Sequence, residues 1–181
     1  MTIGSTWSDA NEAERAEVEL ARAVERLEAL EKLAEERGFG PGASGRVRAL
    51  RCAALVSLAV NANVKQHDVP KAVRYFEDAW ELRQDDFMRV LLACYRARVG
   101  RDEEARALLR GLAPSPGTHY NMACTWALLG EHELALDFLR RDFEENQLSE
   151  GALEKQKQWA KGDPDLESLR GDARFEALVG P

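Results

Sequence analysis

Apolar and polar positions alternate with a helical period along nearly the whole chain. Residues 8–37 carry Leu20, Val24, Leu27, Leu30 and Ala34 at spacings of three and four, which makes one apolar stripe. Arg15, Arg22, Arg26 and Lys32 are interspersed with glutamates on the opposite face. Ser8 or Asp9 supplies an N-cap, Glu12 and Glu14 suit the positive helix start, and Gly38 supplies a stop. The stretch FGPGASGR at 39–46, with three glycines and a proline, predicts a loop and a hinge. Beyond it the pattern predicts helices over 47–64, 69–82, 86–99, 102–112, 118–129, 132–146 and 149–161. Two shorter turns follow at 164–170 and 173–179, with Asp163-Pro164 and Asp172 placed to start them. No segment sustains a period of two, so the expected fold class is all-α.

The middle of the chain repeats itself. Placing Ala72, Ala105 and Ala135 at one position puts Gly100 and Gly130 five residues before two of them, with His67 in the first copy. Twelve residues before the alanines stand Val60, Ala93 and Ala123; thirteen before stand Ala59, Leu92 and Met122. Phe76, Leu109 and Leu139 follow four residues after. The copies start near 53, 86 and 116, at periods of 33 and 30. Two antiparallel helices approach closely only where one presents a small side chain, and a glycine relaxes the turn between them. A single hairpin of this kind cannot bury its own faces, so copies are expected to stack.

Residues 53–149 on this basis resemble three tetratricopeptide repeats, helix–turn–helix units of about 34 residues. YNMACTWALLGEHELALDFL carries the pattern most fully, followed by LLACYRARVGRDEEARALL and then LAVNANVKQHDVPKAVRYFEDAWEL. In the last of these His67 stands at the turn glycine and Gln84 at the closing proline; Arg96 of the second copy stands where the family favours tyrosine. The tail WAKGDPDLESLRGDARFEALV is similar to the ending of many bacterial arrays, and residues 20–60 resemble the helical lead-in of some of them. The resemblance implies an α-solenoid of three repeats over 47–149, behind a long N-terminal helix and hinge loop at 1–46. Capping helices at 150–181 complete one compact domain.

The family lines its concave groove with the first helix of each hairpin. Carried over, the groove positions are Ser57, Asn61, Val64 and Lys65; Phe87, Val90, Cys94, Ala97 and Arg98; and Tyr120, Cys124, Ala127 and Leu128. Chaperone-binding members clamp a terminal carboxylate there with lysines and an arginine. This chain keeps Asn61 and Asn121 but not that cationic set. A mixed groove centred on Asn61, Phe87, Val90, Arg98, Tyr120 and Asn121 instead suits an extended peptide or an amphipathic helix of a partner protein. Two alternatives stay open: a partner fills the groove, or the chain's own N-terminal helix or tail does.

Composition narrows the function classes. The 181 residues, 45% hydrophobic and 31% charged, are long enough for one globular domain. A net charge of −7 from 25 basic and 32 acidic residues disfavours nucleic acid as the partner. Charge is uneven: −5 over 1–40 (5 basic, 10 acidic), +4 over 41–110 (13 and 9) and −6 over 111–181 (7 and 13). The N-terminus has neither a basic nor an apolar leader region, and no apolar run approaches a membrane span. A cytoplasmic location without membrane association is expected.

Candidate chemistry is sparse. Cys52, Cys94 and Cys124 are an odd number, far apart, in apolar helical contexts, which reads as buried free thiols. His119 and Cys124 are five residues apart, about 140° around a helix, where a ligand pair needs a spacing of four. His132 follows the turn glycine, on another helix. Neither a metal nor a cofactor is expected, and the reading is not an enzyme. Arg46, Arg48 and Arg51 could hold a phosphate or an acidic peptide, or could be solvated arginines near a helix start. The function expected is a non-catalytic interaction scaffold, adaptor or regulatory subunit. The alternative is a structural protein that forms a homodimer through residues 8–37.

Overall fold

The computed structural model describes residues 3–145 and 149–180. Among them the chain is helical with no strand, the all-α class expected. It divides into two compact units, one ending at Gln84 and one starting at Asp85. The boundaries expected after 46 and after 149 do not coincide with this division.

The first unit contains α1 (Ile3–Glu36), α2 (Pro41–Val64) and α3 (Val69–Leu82). α2 packs against both others and buries Cys52, Leu55, Leu58, Ala59 and Ala62. Two sequence expectations change here. The helix starts upstream of Ser8 and Asp9, at Ile3, so neither caps it. The predicted loop over 39–46 shrinks, because Pro41 opens α2: its fixed φ suits the first helical turn, where its missing N–H costs nothing.

The inward seam of α1 reads Ala13, Glu17, Leu20, Val24, Leu27, Glu31 and Ala34, spaced alternately four and three. Leu30, expected in the stripe, is 52% exposed, and Glu31 takes the inward place at 5%. Burying a carboxylate is tolerated only with partners. Arg48 Nε donates to Glu31 at 2.7 Å and Arg51 Nη1 at 3.1 Å. At the other end Glu17 accepts from Lys71 Nζ, from Gln66 Nε2 at 2.8 Å and from the Tyr75 hydroxyl at 3.1 Å. The hydrogen bond from Lys71 is the main reason its carboxyl lies below the ordinary 4.5. An apolar middle is thus pinned at both ends by charge.

The second unit contains α4 (Asp86–Arg98), α5 (Asp102–Leu109), a 3-10 turn at Pro116–Thr118, α6 (His119–Leu128), α7 (His132–Glu145) and α8 (Glu150–Gly162). A 3-10 segment, Pro164–Leu169, and α9 (Ala173–Val179) complete it. The end of the helix expected to reach 146 lies outside the described residues. α4 packs on α5, α6 on α7, and α4 on α6. Ala93, Ala105, Ala123 and Ala135 are all fully buried where these helices approach.

The three turns aligned in the sequence share a backbone device. Gly100 and Gly130 have φ of 74° and 76°, and His67 sits in the same left-handed region at 55°. The first turn is nevertheless one residue longer. The Asp68 amide reaches back to Ala62, whereas Arg101 reaches Arg96 and Glu131 reaches Trp126. Aligned from the helix ends, the partner of Ala93 and Ala123 is therefore Ala59 rather than Val60. Burial agrees, since Ala59 is fully buried and Val60 is 45% exposed.

Candidate interaction surfaces

The faces of α4 and α6 assigned to a groove are covered by the chain's own tail. Pro164–Leu169 packs across α6, with Leu166 and Leu169 fully buried. Asp163 caps this segment by accepting from the Asp165 amide at 3.0 Å. Arg98 Nε donates to both Asp165 oxygens, at 2.9 and 3.0 Å, and its Nη2 adds a further bond. The guanidinium also lies 4.3 Å from the Tyr95 ring centroid. Burial opposes its charge, but the hydrogen-bonded Asp165 carboxylate holds it above the usual arginine value. The Tyr120 hydroxyl donates to Asp163 Oδ2 at 2.8 Å; burial first, then Cys124 and Asp163, raise its phenol. Ser168 Oγ donates to the Ala127 carbonyl at 3.2 Å.

Both thiols of the unit belong to this cluster. Cys94 Sγ is 3.5 Å from Asp165 Oδ2, and Cys124 Sγ is 4.0 Å from Asp163 Oδ2. Burial, reinforced by the carboxylates, pushes both well above the ordinary thiol range. A nucleophilic cysteine needs the opposite shift. Ligand atoms of Cys124, Asp163 and Asp165 lie within 4.8 Å of one another, a spacing a metal ion could bridge. Yet Arg98 already engages both Asp165 oxygens and Tyr120 engages Asp163, so the donor set is satisfied by protons and a guanidinium. His119 and His132 do not join it. His119 is buried with its ring 5.9 Å from that of Phe138, and Nδ1 is 3.8 Å from a Glu145 oxygen. His132 is exposed at the start of α7.

Only part of the six-residue partner site is a free surface. Val90 is fully buried, Arg98 and Tyr120 hold the tail, and Asn121 is half-buried with its carbonyl accepting from Thr125 Oγ1 at 2.6 Å. Asn61 belongs to the first unit, where its side chain donates to the Ala13 carbonyl at 3.0 Å and so fastens α1. Phe87 alone is substantially exposed, at 45%. Arg48 and Arg51, read as a possible phosphate site, are committed to Glu31, and Arg46 is not.

The surface the sequence named only in part, through Ser57 and Val64 of the groove implied by the resemblance, is the outer face of α2. Leu50, Val60 and Val64 are 60%, 45% and 54% exposed, with Ala49, Ala53 and Ser57 exposed between them. No charged residue lies on this face from Ala49 to Val64. The same apolarity revises one expectation: α2 is long and apolar enough, by length and composition, to cross a membrane. In this structure its opposite face is packed between α1 and α3. Leu50, Ala53, Ser57, Val60 and Val64 repeat the 3-4 spacing from which a helix-sized seam could have been recognised.

A scan against protein-family models finds none that matches, and searches of curated proteins and of solved structures find no match either. What fold and surface define is an all-α protein of helical hairpins, with one hairpin face sealed and another open.

Proposed function

We propose that the chain is a non-catalytic protein-interaction module, an adaptor or regulatory subunit, built on tetratricopeptide-like hairpins. The observation that carries this reading is the uncharged, outward-facing seam of α2. Contiguous apolar surface rimmed by polar residues is the usual mark of a binding face. The hairpins support the architecture through buried alanines at each helix contact and left-handed residues at each turn. The competing reading, pairing of residues 8–37 between copies, has less to work with, since the seam of α1 is spent on α2.

The test compares proteins crosslinked to the intact chain with those crosslinked to Leu50→Glu and Val60→Glu variants. A Leu134→Glu variant, altered at an exposed leucine of α7, serves as control. The reading expects bound proteins to be lost with both α2 variants and kept with the control. Equal capture by all four chains would sink it.

A further inference from the structure

The second unit shows what such a face accepts. Aligned from the helix ends, Val60 holds the place of Cys94 and Cys124, and Val64 that of Arg98 and Leu128. In the second unit Cys94, Cys124 and Arg98 are met by a short helical segment, Asp163–Leu169, that leads with two aspartates and follows with two buried leucines. Its carboxylates are met by Arg98 and Tyr120 at the edge of the face. No described segment covers the corresponding face of α2, where Val60 and Val64 are about half exposed.

Charge at the two ends of the α2 face is complementary to the same chemistry. Arg46 precedes the seam and Lys65 follows it; both are exposed. Neither side chain makes an ion pair or hydrogen bond among the described residues, unlike Arg48 and Arg51 on the same helix. Glu12 lines the same shallow groove as Lys65 without pairing with it. From Leu50 to Val64 the seam is roughly 21 Å long at 1.5 Å per residue, the length of a four-turn helix.

We infer that the α2 face binds a helical segment of a partner protein with the chemistry of the chain's own tail. Leucine-class side chains lie over Val60, Val64 and the small residues between them and Leu50, and carboxylates near the segment's ends meet Lys65 and Arg46. This rests on the adaptor reading above and gives the partner a chemical description.

The probe is a displayed library of 20-residue helical peptides with leucine, valine or alanine along one seam. Positions flanking that seam are drawn from Asp, Asn and Lys. Selection is run on the full-length chain, on Leu50→Glu and Val60→Glu, and on a doubly reversed Arg46→Glu, Lys65→Glu variant, each checked by circular dichroism. Asp is expected to be enriched over Lys by about tenfold on the unaltered chain, and the preference to invert on the charge-reversed one. Binding should fall about tenfold or more on Leu50→Glu or Val60→Glu. Equal enrichment of Asp and Lys would overturn this partner chemistry while leaving the adaptor reading intact. Peptides indifferent to both α2 substitutions would overturn both. Sedimentation of the unaltered chain as a dimer that Val60→Glu splits would assign the face to a second copy and likewise overturn the inference.

Discussion

The two units solve the same packing problem with different materials. In the second, the first-helix faces of α4 and α6 are closed by a segment of the same chain, and the seal is a polar cluster around Arg98, Asp163 and Asp165. In the first, charge fastens α1, through Glu31 to α2 and through Glu17 to α3 and the turn before it, and the outer side of α2 is left apolar and uncovered by the described residues. The contrast teaches that a helical hairpin does not by itself decide which of its faces stays uncovered. That depends on whether a neighbouring segment carries complementary leucines and carboxylates.

The largest expected effect breaks the seal. Arg98→Ala leaves the Asp165 carboxylate 7% exposed and without its counter-ion, a loss on the order of 3–5 kcal/mol by urea denaturation. Pairing Arg98→Met with Asp165→Leu should recover much of it, because two apolar residues leave no charge stranded. Recovery no better than either single variant would mean that the pair does more than satisfy itself.

Next in size is the register. Ala59→Leu should overfill a contact with no spare room and cost about 1–3 kcal/mol, whereas Val60→Leu, on the open face, should stay within about 0.5 kcal/mol. Equal melting temperatures for the two variants would restore the alignment of Val60 with Ala93 and Ala123.

The charge pins of the first unit predict a pH dependence. The folded value of Glu17 lies below 4.5, so its contribution is fully present above that value and is lost as pH falls through the folded one. Stability measured from pH 7 down to about 3 should therefore fall less steeply in Glu17→Gln than in the unaltered chain. Parallel curves would show that Lys71, Gln66 and Tyr75 do not act through this carboxylate.

The smallest effect concerns His67. A side chain in the left-handed region costs roughly 1–2 kcal/mol in the folded state, so His67→Gly should stabilise the chain, by less than that because glycine also frees the unfolded chain. A lower melting temperature would assign His67 a compensating contact.

Much of the fold was legible because it is local. Helices at 69–82 and 173–179 match α3 and α9 to the residue; Asp172 caps α9 as its sequence advertises, and Asp68, not among the caps named from the sequence, caps α3. The loop expected at 39–46 was misread because proline and glycine signal turns in general, whereas Pro41 here occupies the first helical turn. The one-residue slip at Val60 follows from a turn whose length depends on where the Asp68 amide finds its acceptor. The site was legible in half: the groove positions implied by the family resemblance fall on the face of α4 and α6 that is covered, but its cover stands 39 to 71 residues further on. Asp163 advertised itself as a cap, and nothing local announced that its second oxygen would meet Tyr120. Glu17 and Glu31 were hidden for the opposite reason, since a glutamate in an apolar seam is read as a solvent residue until its partners are known.

Cys52 lies on the buried side of α2, against α3, in the first unit, and Cys94 and Cys124 lie beneath the tail in the second, all reduced and buried. A thiol reagent can reach them only through local opening, so its rate reports the free energy of that opening rather than the reactivity of the sulfur. Each half of the chain thus carries an internal gauge. Timed alkylation read by mass spectrometry would follow the unlatching of the tail separately from the breathing of the α2–α3 hairpin.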